Sequence, residues 1–311
     1  MAGEHDHAHG VSATADRRLL SIALGLIVAY LVGEVVVGLL ASSLALLSDA
    51  AHMLTDAASI ALALVAMRLA ARPPRGTFTY GLRRVEILSA QANGLTLLLL
   101  AAWLCYEAVR RLIAPPSVDG ALVLVTALVG VAVNLAATWL IGRANRTSLN
   151  IRGAYQHILT DLFAFVATAA AGLVLLLTGF DRADGIATLV VVALMAKAGI
   201  GLIRDSSRIF LEAAPAGTDT AALGARLAAC AGVDEVHDLH LWTITSGEPA
   251  LSAHVLVRPG YDCHRVRREL ERLLRDEYRV DHTTLQVDHQ QERPAEPYCA
   301  DSHGPVHRAR S

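Results

Sequence analysis

Residues 44–69 read LALLSDAAHMLTDAASIALALVAMRL, an apolar run that nevertheless carries Asp49, His52 and Asp56. A membrane-spanning helix needs roughly 20 mostly apolar residues, and this run has that length. Ionisable side chains are costly inside a membrane, so each one indicates a function and a partner elsewhere in the chain. We therefore expect residues 44–69 to form a membrane helix that carries part of a functional site.

Five further segments have the same length and apolar character. Together with 44–69 they predict six transmembrane helices, at about 19–40, 44–69, 85–109, 120–141, 151–178 and 183–203. The 311-residue chain is 54% hydrophobic and only 18% charged, with a mean hydropathy of +0.43. This composition is too apolar for a soluble domain of that size, so the sequence predicts an α-helical membrane protein embedded in a lipid bilayer.

Arginines are distributed unevenly between the predicted loops. Cytoplasmic loops of membrane proteins carry an excess of Lys and Arg. If the N-terminus is inside, the outer side holds only Arg110, Arg111 and Arg182. The inner side holds Arg17, Arg18, Arg68, Arg72, Arg75, Arg83, Arg84, Arg143, Arg146, Arg152, Arg204 and Arg208. We therefore expect both termini in the cytoplasm. With a net charge of −2, the arginines do not indicate nucleic-acid binding.

The chain after the sixth predicted helix has the composition of a soluble domain. Its pattern predicts a helix at 218–231, strands at 236–245 and 250–257, an amphipathic helix at 262–279 and a strand at 283–289. This αββαβ order is typical of a small two-layer α+β domain. The predicted domains are a disordered, histidine-containing tail at 1–16, a six-helix membrane domain at 17–205, a cytoplasmic domain at 206–292 and a disordered tail at 293–311.

His52 and Asp56 have the spacing of neighbours on one face of a helix. The fifth predicted membrane helix repeats this spacing with His157 and Asp161. If the two helices pack face to face, two imidazoles and two carboxylates converge into a four-ligand set that zinc accepts. A divalent cation, or protons when it leaves, would also compensate the buried charges. The alternative is a structural polar network or a proton relay without metal.

Asp49 lies on the same helix face, three residues before His52. It is a candidate for metal entry or for an outer-shell contact with the site. Alternatively, it lies near the outer surface of the membrane and has no part in the site.

Several runs of the sequence occur in an order and at separations that resemble a known family. They are SLALLSDAAHMLTDAAS, TYGLRRVEILSAQANG, NIRGAYQHILTDLF, FLEAAPAG, HDLHLWTITSG and LSAHVLV, within about residues 17–290. They resemble the cation diffusion facilitator family, in its bacterial zinc, cobalt and cadmium branch. The resemblance implies a homodimer in the bacterial inner membrane, with a ferredoxin-like, metallochaperone-like cytoplasmic domain in each subunit.

The resemblance also implies a function. It implies a secondary active transporter that exports Zn²⁺, with Cd²⁺ and Co²⁺ as further candidates, from the cytosol in exchange for protons. The family's membrane metal site, around which access alternates, falls on His52, Asp56, His157 and Asp161. Zinc would be both the transported substrate and a regulatory ligand, and no organic cofactor is implied. The loop RPPRGTFTYGLRR lacks the Asp and His of some relatives, so we expect no metal site there.

A second metal site is predicted in the cytoplasmic domain. The candidate ligands are His237, His240, His254, His282, Asp288 and His289, with Asp238 beside the first of them. The resemblance places regulatory zinc ligands at His237, His254 and Asp288. Side chains alternate between the faces of a plain strand, so His237 and His240 should point in opposite directions. Which candidates bind metal stays open, and each alone could be a structural residue.

Both tails contain further histidines. His5, His7 and His9 precede the first membrane helix, and CADSHGPVH lies at 299–307. Either tail could bind metal weakly and transiently. The alternative is that both are solvated polar segments.

Other classes of function fit the sequence less well. A membrane hydrolase would need a motif such as H-E-x-x-H or G-x-S-x-G, and the sequence contains neither, so we do not expect an enzyme. A passive zinc channel or a membrane zinc sensor is the alternative to a transporter. A channel would pass zinc down its gradient without dependence on ΔpH, and a sensor would bind zinc without net flux.

Overall fold

The fold is that of a computed structural model, which describes residues 13–40, 44–114, 120–144, 148–180, 182–289 and 304–308. Within these ranges the backbone of 44–52 is described but its side chains are not. Residues 1–12 of the predicted N-terminal tail, which include His5, His7 and His9, lie outside the described residues. The chain separates into two compact units, with the boundary between Ser206 and Ser207.

The first unit consists of six helices. They are α1 (Ala13–Leu40), α2 (Leu44–Ala70), α3 (Val85–Ile113), α4 (Gly120–Ile141), α5 (Leu149–Thr178) and α6 (Ala183–Phe210). Among the described residues, five stretches are long and apolar enough to cross a membrane, one in each helix from α2 to α6. They follow α1, a helix of 28 residues.

Two apolar clusters hold these helices together. The larger cluster joins α1, α2, α4 and α5, and one fully buried member from each helix is Ile27, Ile60, Ile141 and Ile158. The smaller cluster joins α3 and α6. There, a Cβ added at Gly199 would lie 2.9 Å from the carbonyl oxygen of Gly94. Because neither residue has a side chain, the two backbones can approach closely, as is common between membrane helices.

Polar side chains also connect neighbouring helices of this unit. The amide Nδ2 of Asn150 on α5 donates to the carbonyl oxygen of Ala63 on α2 at 2.9 Å, and Asn150 is fully buried. Further along α2, the guanidinium of Arg17 on α1 donates to the carbonyl oxygen of Met67 at 3.1 Å. These bonds to backbone oxygens fix the positions of α1 and α5 along α2.

The second unit is a four-stranded sheet with two helices. Its elements are α7 (Thr220–Ala228), β1 (Val233–Thr245), β2 (Glu248–Val257), α8 (Cys263–Tyr278), β3 (His282–His289) and β4 (His307–Arg308). The strand order is β3-β2-β1-β4, with β2 parallel to β3 and the other neighbouring strands antiparallel. Leu223 of α7 and Leu270 of α8 pack, fully buried, with Leu251 and Val255 of β2. The predicted architecture of apolar helices followed by a small α+β domain is confirmed.

β1 contains a bulge between His237 and His240. His237 pairs with His254 and His240 with Ser252, so two intervening residues of β1 face a single residue of β2. Paired residues share a face of the sheet, and positions 252 and 254 lie on the same face. His237 and His240 therefore lie on one face. The expectation that they point in opposite directions is wrong, because β1 is not a plain strand.

The two ends of the fold differ from the predicted tails. α1 begins at Ala13, inside the segment 1–16 that was expected to be disordered. β4 lies in the segment 293–311, which was also expected to be disordered. Its backbone pairs with Glu235 and Val236 of β1. A pairing between residues this far apart in the chain leaves no local pattern in the sequence.

Candidate metal centre

The helices α2 and α5 bring three ionisable side chains together in the membrane unit. Asn150 of α5 contacts Ala63 of α2, and His157 of α5 contacts Asp56 of α2. From the first contact to the second, the position moves seven residues forward on α5 and seven residues backward on α2. Residue numbers thus rise along one helix and fall along the other, so the helices are antiparallel. Seven residues are about two helical turns, so both contacts lie on the same pair of faces.

The cluster consists of Asp56, His157 and Asp161. Nε2 of His157 lies 3.0 Å from Oδ1 of Asp56 and 3.8 Å from Oδ2 of Asp161. One ligand atom from each residue lies within 4.8 Å of the other two. Asp56 and His157 are 0% exposed and Asp161 is 2% exposed, so bulk water does not solvate the charges.

The chemistry of this donor set fits a divalent cation. Zinc binds imidazole nitrogen and carboxylate oxygen, usually through four ligands. Two carboxylates buried in apolar surroundings also need positive charge to compensate them. His52 and Asp49 belong to α2, about one and two helical turns before Asp56. Their side chains lie outside the described residues, so their place in the site stays a prediction.

A second cluster lies on the exposed face of the sheet in the other unit. His237, Asp238 and His254 each offer a ligand atom within 4.8 Å of the other two. Nδ1 of His254 lies 3.6 Å from Oδ2 of Asp238, and the two imidazole rings meet edge to face with centroids 5.3 Å apart. Asp238 is 8% exposed and both histidines are partly buried. Two imidazoles and a carboxylate are again a donor set that suits zinc.

Asp238 joins this cluster because of the bulge in β1. Its φ is +48°, in the left-handed region that residues other than glycine rarely adopt. A plain strand would place Asp238 on the face opposite to His237, whereas the bulge brings it to the same cluster. The Asp beside the His in HDLH was the only signal in the sequence.

The other predicted ligands of the cytoplasmic domain do not join this cluster. His240 is exposed on the same face, and His282 is exposed at the start of β3. Asp288 pairs in register with Leu256 and accepts a hydrogen bond of 3.0 Å from the amide of Gln286. Nε2 of His289 lies 2.9 Å from the carbonyl oxygen of Tyr261. Of the tail motif CADSHGPVH, residues 299–303 lie outside the described residues.

Family models match both units of the chain. The model of the cation efflux transmembrane domain matches residues 20–211, and that of the cation efflux protein cytoplasmic domain matches residues 215–290. These two matches meet near the boundary between the units.

Curated relatives match along almost the whole chain. The cadmium, cobalt and zinc/H⁺-K⁺ antiporter of Bacillus subtilis is 34% identical, over 91% of this chain and 91% of its own. The metal cation efflux system protein CzcD of Cupriavidus metallidurans is 37% identical, over 91% of this chain and 89% of its own. The zinc transporter ZitB of Escherichia coli is 34% identical, over 92% and 93%.

A solved structure of a domain from a relative is similar in sequence to part of this chain. The metal-bound C-terminal domain of the CzcD transporter from Cupriavidus metallidurans is 33% identical. It covers 23% of this chain and 99% of its own, with a TM-score of 0.22. The family models and the full-length relatives together show that this multi-pass membrane protein belongs to the cation efflux family, the cation diffusion facilitators, which are transporters and not classical enzymes.

Proposed function

We propose that the protein exports Zn²⁺ from the cytosol in exchange for protons, by alternating access around the membrane cluster, with Cd²⁺ and Co²⁺ as further substrates. The observation that carries this proposal is the burial of Asp56, His157 and Asp161 within contact of one another on two apolar helices. Ionisable groups are expensive at such a position, and apolar side chains would pack there at lower cost. A transported cation gives a reason to keep them.

The donor set supports zinc over the hard cations. Calcium and magnesium prefer sites made entirely of oxygen, whereas imidazole nitrogen suits zinc and its transition-metal neighbours. His52, about one helical turn before Asp56, would complete a set of four ligands. The names of the relatives point the same way, since they include zinc, cadmium and cobalt.

The contact between His157 and Asp56 supports coupling to protons. A separation of 3.0 Å between an imidazole nitrogen and a carboxylate oxygen suits either a hydrogen bond, with the proton on one of the two atoms, or a metal ion bound by both. Zinc needs the lone pair of that nitrogen, and a histidine ligates only when it is deprotonated there. Metal and proton therefore exclude each other at Nε2. An imidazole suits this exchange because its unperturbed pKa of about 6.5 lies near working pH.

The cytoplasmic unit has a separate role in the proposal. We place both termini in the cytoplasm and the protein as a homodimer in the inner membrane, in line with the family match to a cytoplasmic domain. Metal bound by His237, Asp238 and His254 would favour one arrangement of the dimer, so that cytosolic zinc regulates transport.

The test is zinc flux in proteoliposomes that contain the purified protein and a zinc-sensitive dye, with and without an imposed pH gradient. We expect zinc to move against its gradient only when ΔpH is present. Asp161→Ala should abolish this flux while the protein still folds and inserts. Thr160→Val is the matched control, because the Thr160 hydroxyl donates within its own helix, to the carbonyl oxygen of Gln156. This variant should transport zinc normally.

Three results would contradict this proposal. Normal flux in Asp161→Ala would exclude the membrane cluster as the transport site. Zinc that moves only downhill and ignores ΔpH would show a passive channel, and the cluster would then serve selectivity. Zinc binding without any flux would identify a sensor instead.

A further inference from the structure

A buried carboxylate on β1 lies next to the cytoplasmic cluster without belonging to it. Glu235 is two residues before His237, on the same face of the sheet, and only 7% exposed. Its Oε1 lies 3.1 Å from Nδ1 of His237, and its Oε2 accepts a hydrogen bond of 3.1 Å from Nε of Arg308. One carboxylate thus connects a candidate metal ligand to the C-terminal strand β4.

The position of Glu235 matches a recurring feature of metal-binding histidines. An imidazole that ligates through one nitrogen usually donates its other N–H to a carboxylate or a carbonyl. That second bond fixes both the tautomer and the orientation of the ring. The contact of 3.1 Å between Nδ1 of His237 and Glu235 lies outside hydrogen-bond geometry. If the ring turns to make that bond, Nε2 is the nitrogen left for a metal.

The second partner of Glu235 comes from a segment beyond both family matches. The match to the cytoplasmic domain ends at residue 290, whereas β4 lies at His307–Arg308. Arg308 pairs in register with Glu235, and the ring of His307 lies over Gly224 of α7. A Cβ at position 224 would come within 2.3 Å of that ring. The absence of a side chain at Gly224 is therefore what makes room for β4.

Stability alone explains this arrangement poorly. The side chain of Arg308 is 75% exposed, and exposed ion pairs contribute little to folding. A buried carboxylate is costly unless it is paired, so an apolar residue at 235 would be the simpler way to stabilise the sheet. One of its oxygens instead lies against a candidate ligand, and the other accepts a hydrogen bond from an arginine.

We propose that Glu235 is a positioning residue for metal binding by His237, Asp238 and His254, and that Arg308 of the C-terminal strand holds its carboxylate in place. The proposal rests on the cytoplasmic metal site proposed above. It gives the C-terminal segment a function: when β4 is docked, the cluster binds metal more tightly.

The experiment uses the full-length protein in detergent, with Asp56→Ala and Asp161→Ala in every sample so that the membrane cluster does not bind zinc. Zinc affinity is measured by competition with a chromogenic chelator, and the absorption spectrum of bound Co²⁺ reports ligand geometry. Glu235→Gln should weaken zinc binding about 10–100-fold, the usual effect of losing such a partner, and shift the Co²⁺ spectrum. Arg308→Ala should weaken binding in the same direction but less.

A matched control separates positioning from a general loss of surface charge. Arg265→Ala removes an ion pair with Glu269 whose arginine is also 75% exposed, at a site remote in sequence, and should leave zinc affinity unchanged. His254→Ala should abolish tight binding, because it removes a ligand. The temperature of unfolding is followed in each variant, since a merely structural role for Glu235 would move it without changing the Co²⁺ spectrum.

The possible failures are distinguishable. If His254→Ala binds zinc like the parent, the cytoplasmic site itself is wrong, and the role of Glu235 is overturned with it. If His254→Ala loses binding while Glu235→Gln and Arg308→Ala bind like the parent, the site stands and only the positioning role is overturned. If Glu235→Gln does not fold, Arg308→Ala and a chain that ends after residue 303 decide in the same way.

Discussion

Two carboxylates share one imidazole in the membrane cluster. His157 contacts Asp56 at 3.0 Å and lies 3.8 Å from Asp161, so its Nε2 is the atom where both acidic groups meet. Like charges at such short range, away from water, are tolerated only when a cation or a proton lies between them. Tetrahedral zinc needs one ligand more than these three residues supply. The membrane site therefore needs a fourth ligand.

We expect His52 to be the fourth ligand, since it lies about one helical turn before Asp56. His52→Ala should lower zinc affinity by at least the ~10–100-fold that losing an outer-shell partner costs. The measurement is zinc binding to the full-length protein in detergent. Asp49→Asn is the comparison, because Asp49 lies two turns away and should change affinity less. A larger effect at Asp49 would reverse the assignment.

The N-cap of α8 gives the cytoplasmic domain a pH-dependent contribution to stability. The carboxylate of Asp262 accepts hydrogen bonds from the backbone N–H groups of Arg265 and His264. The bond from Arg265 is the main reason that the pKa of Asp262 lies below its usual value. A lowered pKa in the folded state means that the stabilisation is complete above the unfolded pKa, near 4, and is lost as pH falls through the folded value.

Asp262→Asn should remove that pH dependence while it keeps a residue that caps helices well. The measurement is the unfolding temperature of the second unit between about pH 3 and pH 6, followed through Trp242 in a full-length chain whose Trp103 and Trp139 are changed to Phe. The parent should lose more stability than the variant as pH falls. Equal losses would show that other carboxylates, and not this cap, govern acid unfolding.

At the scale of elements, one amide determines how α2 and α5 are aligned. Asn150 holds the backbone of α2 at Ala63, about two turns from the contact between Asp56 and His157. Interhelical hydrogen bonds in membranes are worth about 0.6 and at most about 1.7 kcal/mol. That is a small part of the packing energy. The bond instead fixes the position of α5 along the axis of α2. A slip of one residue along that axis would move His157 by about 1.5 Å relative to Asp56.

Asn150→Ala should therefore weaken zinc binding at the membrane cluster more than it destabilises the protein. Asn134→Ala is the matched control, because Asn134 is also fully buried but its amide donates to Gly130 in its own helix. We expect the control to leave zinc affinity unchanged. The measurements are zinc affinity and unfolding temperature in detergent. Equal zinc affinity in both variants would contradict an alignment role for Asn150.

Local features of this chain can be predicted from the sequence more readily than contacts between distant residues. The helices follow from length and apolar composition, and the i, i+4 spacing places His157 and Asp161 on one face of α5; these are local properties. The contact between Asp56 and His157 depends in addition on how α2 and α5 pack, which the sequence analysis had to assume. The bulge that turns Asp238 toward His237 depends on the register between β1 and β2, and no glycine marks its positive φ. β4 depends on contacts with β1 and α7 across a long stretch of chain. Long-range contacts of this kind leave no periodic pattern in the sequence.

At the scale of the whole molecule, the direction of transport depends on how the protein is inserted. The membrane cluster is built the same way whichever side it faces, so export follows only if the arginine-rich loops lie in the cytoplasm. Two exposed residues test this. Phe78, between α2 and α3, is 59% exposed on the predicted inner side, and Phe180, between α5 and α6, is 46% exposed on the predicted outer side.

Phe78→Cys and Phe180→Cys are placed separately in a chain whose Cys105, Cys230, Cys263 and Cys299 are changed to Ser. A membrane-impermeant maleimide added to intact cells should label Phe180→Cys at once and Phe78→Cys only after permeabilisation, because positive charge keeps the α2–α3 loop inside. The chain without cysteines is the control for background labelling. The opposite pattern would place the arginine-rich loops outside. The same exchange of zinc for protons would then face the other way, and export from the cytosol would be wrong even if the membrane cluster binds zinc as proposed.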